Sequence, residues 1–290
     1  MNQKRVSILA SGDEILTGRL IDTNSAWISK FVQNLGYEIS YIGIAGDNTS
    51  TLQELITFTA KNSDIIMITG GLGPTEDDKT RFVISELSKQ KLVFNFVANH
   101  SMYQFYKKLG RDITSIPSSN YIQCMIPYDA CFIPNLNGTA CGIVAKYNES
   151  IIIALPGVPH EMKSMLELIA TKYSEFLPKV GVPYLTKVMT LFGCSEARMG
   201  EMIRSFMEAA NPKVGITAKS GYLQISVMGF SEKEVSSCFD QILVTVKEFV
   251  ISREGLTPPE ILLNICRQNK WSLGTIESCT GPTAARTASS

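Results

Sequence analysis

Apolar positions along the chain fall into short runs that alternate with stretches in which they recur every three or four residues, as buried strands alternating with amphipathic helices do. Residues 6–10 form the first run, turned by Ser11-Gly12-Asp13-Glu14. A helix is predicted over residues 24–35, with Trp27, Ile28, Phe31 and Leu35 on one face and Gly36 as its stop. Residues 38–44 read as the second strand. Gly46-Asp47-Asn48 then leads to a helix from about Thr51, where Thr51 and Glu54 have capping-box spacing and Leu52, Leu55 and Ile56 face inward. The third strand ends at Thr69. Strands and helices alternating at this spacing predict a parallel sheet covered on both faces, with ligands at the carboxyl ends of the strands.

Further along, Tyr103, Phe105, Tyr106 and Leu109 decorate a helix before Gly110 and read as core. Residues 134–142 join two strand-like runs, either as a plain hairpin connection or as a loop presenting N–H groups to a ligand. The apolar run 151–155 stops at Pro156-Gly157-Val158-Pro159, after which His160, Glu161 and Met162 open a helix carrying Met165, Leu166 and Ile169. His160 reads as a surface residue of that helix start. Prolines and glycines over residues 178–183 suggest a boundary. Beyond it the pattern is strand (185–192), helix (195–207), strand (213–217), strand (222–229) and helix (231–251), with Lys219-Ser220-Gly221 as a hairpin turn. Thr257-Pro258-Pro259-Glu260 marks a second boundary, followed by a helix over residues 259–268. Three domains are expected: 1–177, 178–255 and 256–290.

The densest chemistry lies in residues 64–78, where a strand empties into Thr69-Gly70-Gly71-Leu72-Gly73-Pro74-Thr75 and then Glu76-Asp77-Asp78. Bare N–H groups beside a helix start suit a phosphate, yet three carboxylates in the first helical turn would repel it. A divalent cation reconciles the two, since it takes carboxylate and phosphate oxygens together. The alternative is structural: acids near a helix start stabilise its dipole, and Thr75 and Asp78 match a capping box. The loop is not a Walker A sequence, because no Gly-Lys-Ser/Thr follows. Lys79 and Arg81 follow closely enough in sequence for either to contact a phosphate, but solvation on an exposed helix face is the expected fate.

Charge narrows the partners. Twenty-seven acids balance twenty-seven bases in 290 residues, without a basic run, so there is no electrostatic footprint for nucleic acid or an anionic membrane. Seven scattered cysteines with no C-x-x-C pair and only two histidines read as a reduced, cytoplasmic protein, and no apolar run approaches a membrane span.

With these pieces assembled the chain resembles the CinA (competence/damage-inducible protein A) family. The residues that carry the resemblance are Gly12-Asp13-Glu14-Ile15-Leu16-x-Gly18, Asp22-Thr23-Asn24-Ser25, Gly46-Asp47, Gly70 to Thr75 with Asp77-Asp78, Asn137-Gly138-Thr139, and Leu155 to Pro159 with Glu161-Met162. The resemblance implies an α/β fold: a MoaB/MogA-like, molybdopterin-binding three-layer domain with a mainly parallel sheet, then a small KH-like α+β domain and a truncated C-terminal segment. It also implies metal-dependent hydrolysis of ADP-ribose to AMP and ribose 5-phosphate, with a homodimer and a small nucleotide substrate. In this reading Asp77, Asp78 and Glu14 are catalytic, and Asp77 and Asp78 hold magnesium, manganese or cobalt. Substrate contacts are expected from Gly12, Asp13, Asp47, Gly70, Gly71, Gly73, Pro74, Thr75, Asn137, Gly138, Thr139, Pro156, Gly157 and Glu161. RNA binding is not expected, because the KH-type G-x-x-G loop is missing between residues 185 and 230. A pterin- or nucleotide-binding protein without turnover is the rival. Residues 271–281 resemble the opening of the family's nicotinamide-nucleotide amidohydrolase domain, with Ser278 matching its nucleophile. The chain departs from that pattern at Pro282 and ends at Ser290, so this activity is expected to be lost, or to remain only if the chain is a fragment.

Overall fold

The structure, a computed structural model, describes residues 4–274. It contains two compact units, the first ending at Pro183 and the second beginning at Tyr184. Ser278, the expected vestigial nucleophile, lies outside the described residues.

In the first unit the elements follow one another as β1 (Arg5–Ser11), α1 (Asp13–Leu16), α2 (Thr23–Asn34), β2 (Glu38–Ala45), α3 (Thr49–Ala60), β3 (Ile65–Thr69), α4 (Thr80–Leu87), β4 (Leu92–Phe94), α5 (Phe96–Lys108), β5 (Met125–Pro127), β6 (Cys131–Ile133), β7 (Gly142–Tyr147), β8 (Ser150–Leu155) and α6 (Pro159–Lys172). Six strands form one sheet in the order β2-β1-β3-β8-β7-β6. The β1–β2, β1–β3 and β3–β8 pairs are parallel, and β7 runs antiparallel to both β8 and β6.

The unbroken apolar character of the central strands follows from burial on both faces. Along β3, Ile66 and Ile68 join Leu52, Ile56, Val83, Ile84 and Met102 on one face, whereas Ile65 and Met67 join Ile28, Val32, Met162, Leu166 and Ile169 on the other. Three layers result. Because β2 lies on one side of β1 and β3 on the other, the chain reverses its winding direction at the β1–β3 pair, and the crevice beyond their carboxyl ends is where open α/β sheets receive ligands.

The second unit runs β9 (Leu185–Leu191), α7 (Glu196–Met202), α8 (Arg204–Met207), β10 (Lys213–Lys219), β11 (Tyr222–Gly229), α9 (Glu232–Thr245), β12 (Val250–Ser252) and α10 (Pro258–Asn269). Its antiparallel sheet, β10-β11-β9-β12, packs Ile225 and Val227 against Val235, Phe239 and Ile242 of α9.

Several local expectations shift. α3 starts at Thr49, because the Asn48 side chain accepts from Ser50 N (2.9 Å) and Thr51 N (3.3 Å) and so caps the helix ahead of the Thr51 box. α4 starts at Thr80, so Glu76, Asp77 and Asp78 precede the helix instead of occupying its first turn. Leu109 is exposed, although Tyr106 is buried as expected. The expected helix over 195–207 is interrupted at Ile203, and the one over 231–251 ends at Thr245, leaving room for β12.

Candidate functional site

The turn after β3 is built for close backbone approach. Gly70 has φ +105°, and a Cβ there would stand 2.2 Å from the Ser11 carbonyl oxygen at the end of β1. Only glycine fits. Gly70 N donates to Leu155 O at 3.0 Å, which ties the ends of β3 and β8 together. The first residue of α4 reaches back to the turn, Thr80 Oγ1 donating to Gly70 O (2.9 Å) and Thr80 N to Gly71 O (3.0 Å).

Asp78 closes the loop. Its Oδ1 accepts from Gly73 N (2.7 Å), and its Oδ2 accepts from Thr75 N (2.9 Å) and Thr75 Oγ1 (2.6 Å). The sequence reading gave the N–H groups of Gly70 to Thr75 to a phosphate. In the structure those of Gly70, Gly73 and Thr75 have protein acceptors, and Pro74 has none to give. The loop carries its own anion, the Asp78 carboxylate.

Arg81 corrects a second expectation. It is 1% exposed and not on a solvated face: its guanidinium donates to the carbonyls of Leu72, Gly73 (3.1 Å), Ile122 and Met125 (3.5 Å). Burial pushes its pKa below the ordinary arginine value, an effect opposed by Cys141 and Asp78.

Around the tips of β1 and β2, Asp13 and Asp47 interlock. Asp47 N donates to Asp13 Oδ1 (3.1 Å) and Asp13 N to Asp47 Oδ2 (3.4 Å). Burial, together with repulsion from Asp13, Asp77 and Glu14, raises the Asp47 carboxyl above its usual range against the backbone hydrogen bond from Asp13. Near the start of α6, Glu161 Oε2 accepts from Asn135 Nδ2 at 2.6 Å, and Asn135 also donates to Ala140 O (2.9 Å). Gly138 is packed so closely here that a Cβ would stand 2.2 Å from a Glu161 carboxylate oxygen. Burial pushes the Glu161 carboxyl up, and the Asn135 hydrogen bond opposes this.

These pieces surround a cleft of about 600 Å³ at the sheet's switch point. Of the expected residues, Glu14, Gly70, Gly71, Gly73, Pro74, Asp78, Thr139, Pro156, Gly157 and Glu161 line it. Gly12, Asp13, Asp47, Thr75, Asp77, Asn137 and Gly138 do not, and Asp77 is exposed on the loop. Asn24 and Thr69, named in the sequence only within motifs and without a site role, and Gln123, not named at all, are buried and on the wall. Asn24 had a visible signal, since it follows Asp22, whose side chain caps α2 by accepting from Ser25 N (2.9 Å). Four lining residues are acids, namely Glu14, Asp22, Asp78 and Glu161, and none is Lys, Arg or His. Among the described residues no three His, Cys, Asp or Glu side chains come together as a ready cation site.

The family described as "Probable molybdopterin binding domain" matches residues 7–178, and "Damage-inducible protein CinA KH domain" matches residues 186–252. A competence-damage inducible protein of Thermoanaerobacter is 31% identical over 288 residues, spanning 97% of this chain and 68% of the relative. The chain belongs to the CinA family. The chain is similar to the crystal structure of the protein CinA from Thermoplasma acidophilum, with 28% identity and a TM-score of 0.53 over 58% of this chain and 98% of that one. A MoaB from Pyrococcus furiosus shares 18% identity at a TM-score of 0.42, covering 61% of this chain and 96% of that protein. In this CinA family member the molybdopterin-binding type of domain therefore ends near the close of α6, and the KH domain spans β9 to β12.

Proposed function

We propose that the first unit binds a nucleotide diphosphate through a divalent cation and hydrolyses it, with cleavage of ADP-ribose to AMP and ribose 5-phosphate as the reaction indicated by the family resemblance. One observation carries the reading: the cleft wall has four carboxylates and no basic side chain, and the loop amides of Gly70, Gly73 and Thr75 already have acceptors. A diphosphate meeting that wall unaided would meet four carboxylates and no positively charged side chain. The donor set fits a hard cation such as magnesium, manganese or cobalt, which needs only one or two carboxylates when phosphate oxygens and water complete its shell. Glu14 and Asp78, both on the cleft wall, would hold it. When bound, such an ion neutralises charge on the transferred phosphoryl group. The protein's own part is to fix the Gly70–Asp78 loop at the edge of the cleft.

Purified protein incubated with ADP-ribose and each metal in turn should release AMP. Glu14→Gln and Asp78→Asn should lower the rate by about a hundredfold, the scale of losing one electrostatic contributor; full activity in excess chelator would refute the reading. A second reading, binding of a pterin or nucleotide without turnover, is favoured by the lack, among the described residues, of three converging metal-ligating side chains. Saturable binding without AMP would select it. Homodimerisation is a separate proposal, checked by the molar mass in solution. So is the absence of RNA binding by the second unit, checked by a gel-shift assay.

A further inference from the structure

Three large aliphatic side chains on the cleft lining are open to water: Ile21 is 81% exposed, Leu20 55% and Val158 44%. Local folding gives no reason for them. Val158 is the N-cap of α6, where its side chain makes no capping bond and where serine or aspartate would satisfy a free N–H group. Leu20 and Ile21 lie in the connection from α1 to α2, which is held at both ends: Leu20 N donates to Glu14 O (2.8 Å), and the Asp22 side chain caps α2. Apolar side chains fixed open at a cleft are a surface already organised for a partner.

Two bonds set where this surface stands. The carbonyl that holds Leu20 belongs to Glu14, a residue proposed to hold the cation. Asn24 Nδ2 donates to Gly157 O (2.8 Å), which ties the start of α2 to the turn carrying Val158, and a Cβ added to Gly157 would stand 3.5 Å from Gly70 Cα. The aliphatic groups therefore adjoin the proposed diphosphate site from two separate connections. Charge and polarity narrow the occupant. With four acids and no basic side chain on the lining, nothing would pair a further anionic group, so the part of the ligand beyond the diphosphate should be uncharged, as a nucleoside is. Of its two halves, the sugar needs hydrogen-bond partners that aliphatic groups lack, whereas the flat faces of a base gain from apolar cover. We infer that Leu20, Ile21 and Val158 form a nucleobase subsite and so determine the preference for a nucleotide over a bare diphosphate. This rests on the nucleotide reading above.

The test is calorimetric binding, with magnesium, of two ligands that cannot be cleaved: ADP-ribose with a methylene-bridged diphosphate, and methylenediphosphonate, which has no nucleoside. Ile21→Ser and Val158→Ser should each bind the ADP-ribose analogue about tenfold more weakly than wild type, the scale of partly covering one large aliphatic side chain, and bind methylenediphosphonate as wild type does. Val158→Ser also gives α6 a capping hydroxyl, so its melting temperature should be no lower than that of wild type. An equal loss for both ligands or no loss, in either variant, would overturn the inference and leave diphosphate binding standing, as would a wild type that binds only methylenediphosphonate. No binding of either ligand would instead remove the functional reading, and this inference with it. If wild type binds only the ADP-ribose analogue, or a variant does not fold, a crystal structure of wild type with that analogue decides: adenine in van der Waals contact with Ile21 and Val158 supports the subsite, and adenine elsewhere ends it.

Discussion

Gly70 and Glu161 show how single positions carry the site. With φ +105° and the Ser11 carbonyl 2.2 Å from any added Cβ, Gly70→Ala requires both a strained backbone and displacement of β1. We expect a loss of about 3 kcal/mol or more, measured by urea unfolding. At Glu161 the relevant variable is pH. Its folded-state pKa lies above the ordinary 4.5, so the folded chain holds this proton more tightly than the unfolded chain. Stability from this group is therefore lost as pH rises from 4.5 through the folded value, since protons bound to the native state are released. Glu161→Gln keeps an acceptor for Asn135 and cannot ionise. Its melting temperature should gain on wild type as pH climbs through that window, and thermal melts across the series check it; a constant offset would contradict the assignment.

Among the elements, the connection from β3 to α4 governs the site's shape, and Arg81 governs the connection. Arg81→Met leaves the Leu72, Gly73 and Ile122 carbonyls without their donor and should cost about 3 kcal/mol. Arg81→Lys should recover little, because an ammonium cannot span acceptors that a planar fork reaches; equal denaturation midpoints for lysine and wild type would refute this. The strand-helix alternation was readable in the sequence because β1, β3 and β8 are covered on both faces and therefore continuously apolar. So was the glycine turn. What could not be read were choices between neighbours of equal propensity, such as Asn48 over Thr51 as a cap, and long-range partners. Nothing local distinguishes an arginine that meets solvent from one that meets the carbonyls of Ile122 and Met125 some forty positions on. Asp78 was legible as a cation ligand or as a capping-box partner of Thr75; in the structure it bonds Gly73 and Thr75 ahead of the helix and also lies on the cleft wall. Asn24 was legible only as part of a motif, because the Thr69 and Gly157 groups it bonds are brought near only by the folded sheet.

For the whole molecule, zero net charge hides a local imbalance: the chain's bases are elsewhere, and the cleft has acids alone. Added nucleotide diphosphate should therefore raise the melting temperature only when a divalent cation is present, by the amount mass action gives at the ligand concentration used, about 2.7 kcal/mol at a hundredfold excess over Kd. Thermal melts with and without chelator read this out, and stabilisation unaffected by chelator would contradict it. The cleft also has a temporal property. Ser11, Thr69 and Pro156 on its wall are contributed by the tips of strands far apart along the chain, joined only when β8 docks beside β3. A nascent polypeptide has no rudimentary version of this pocket, so occupancy by ligand reports that the sheet is finished, and any small molecule that fits can reward only chains that have completed their folding.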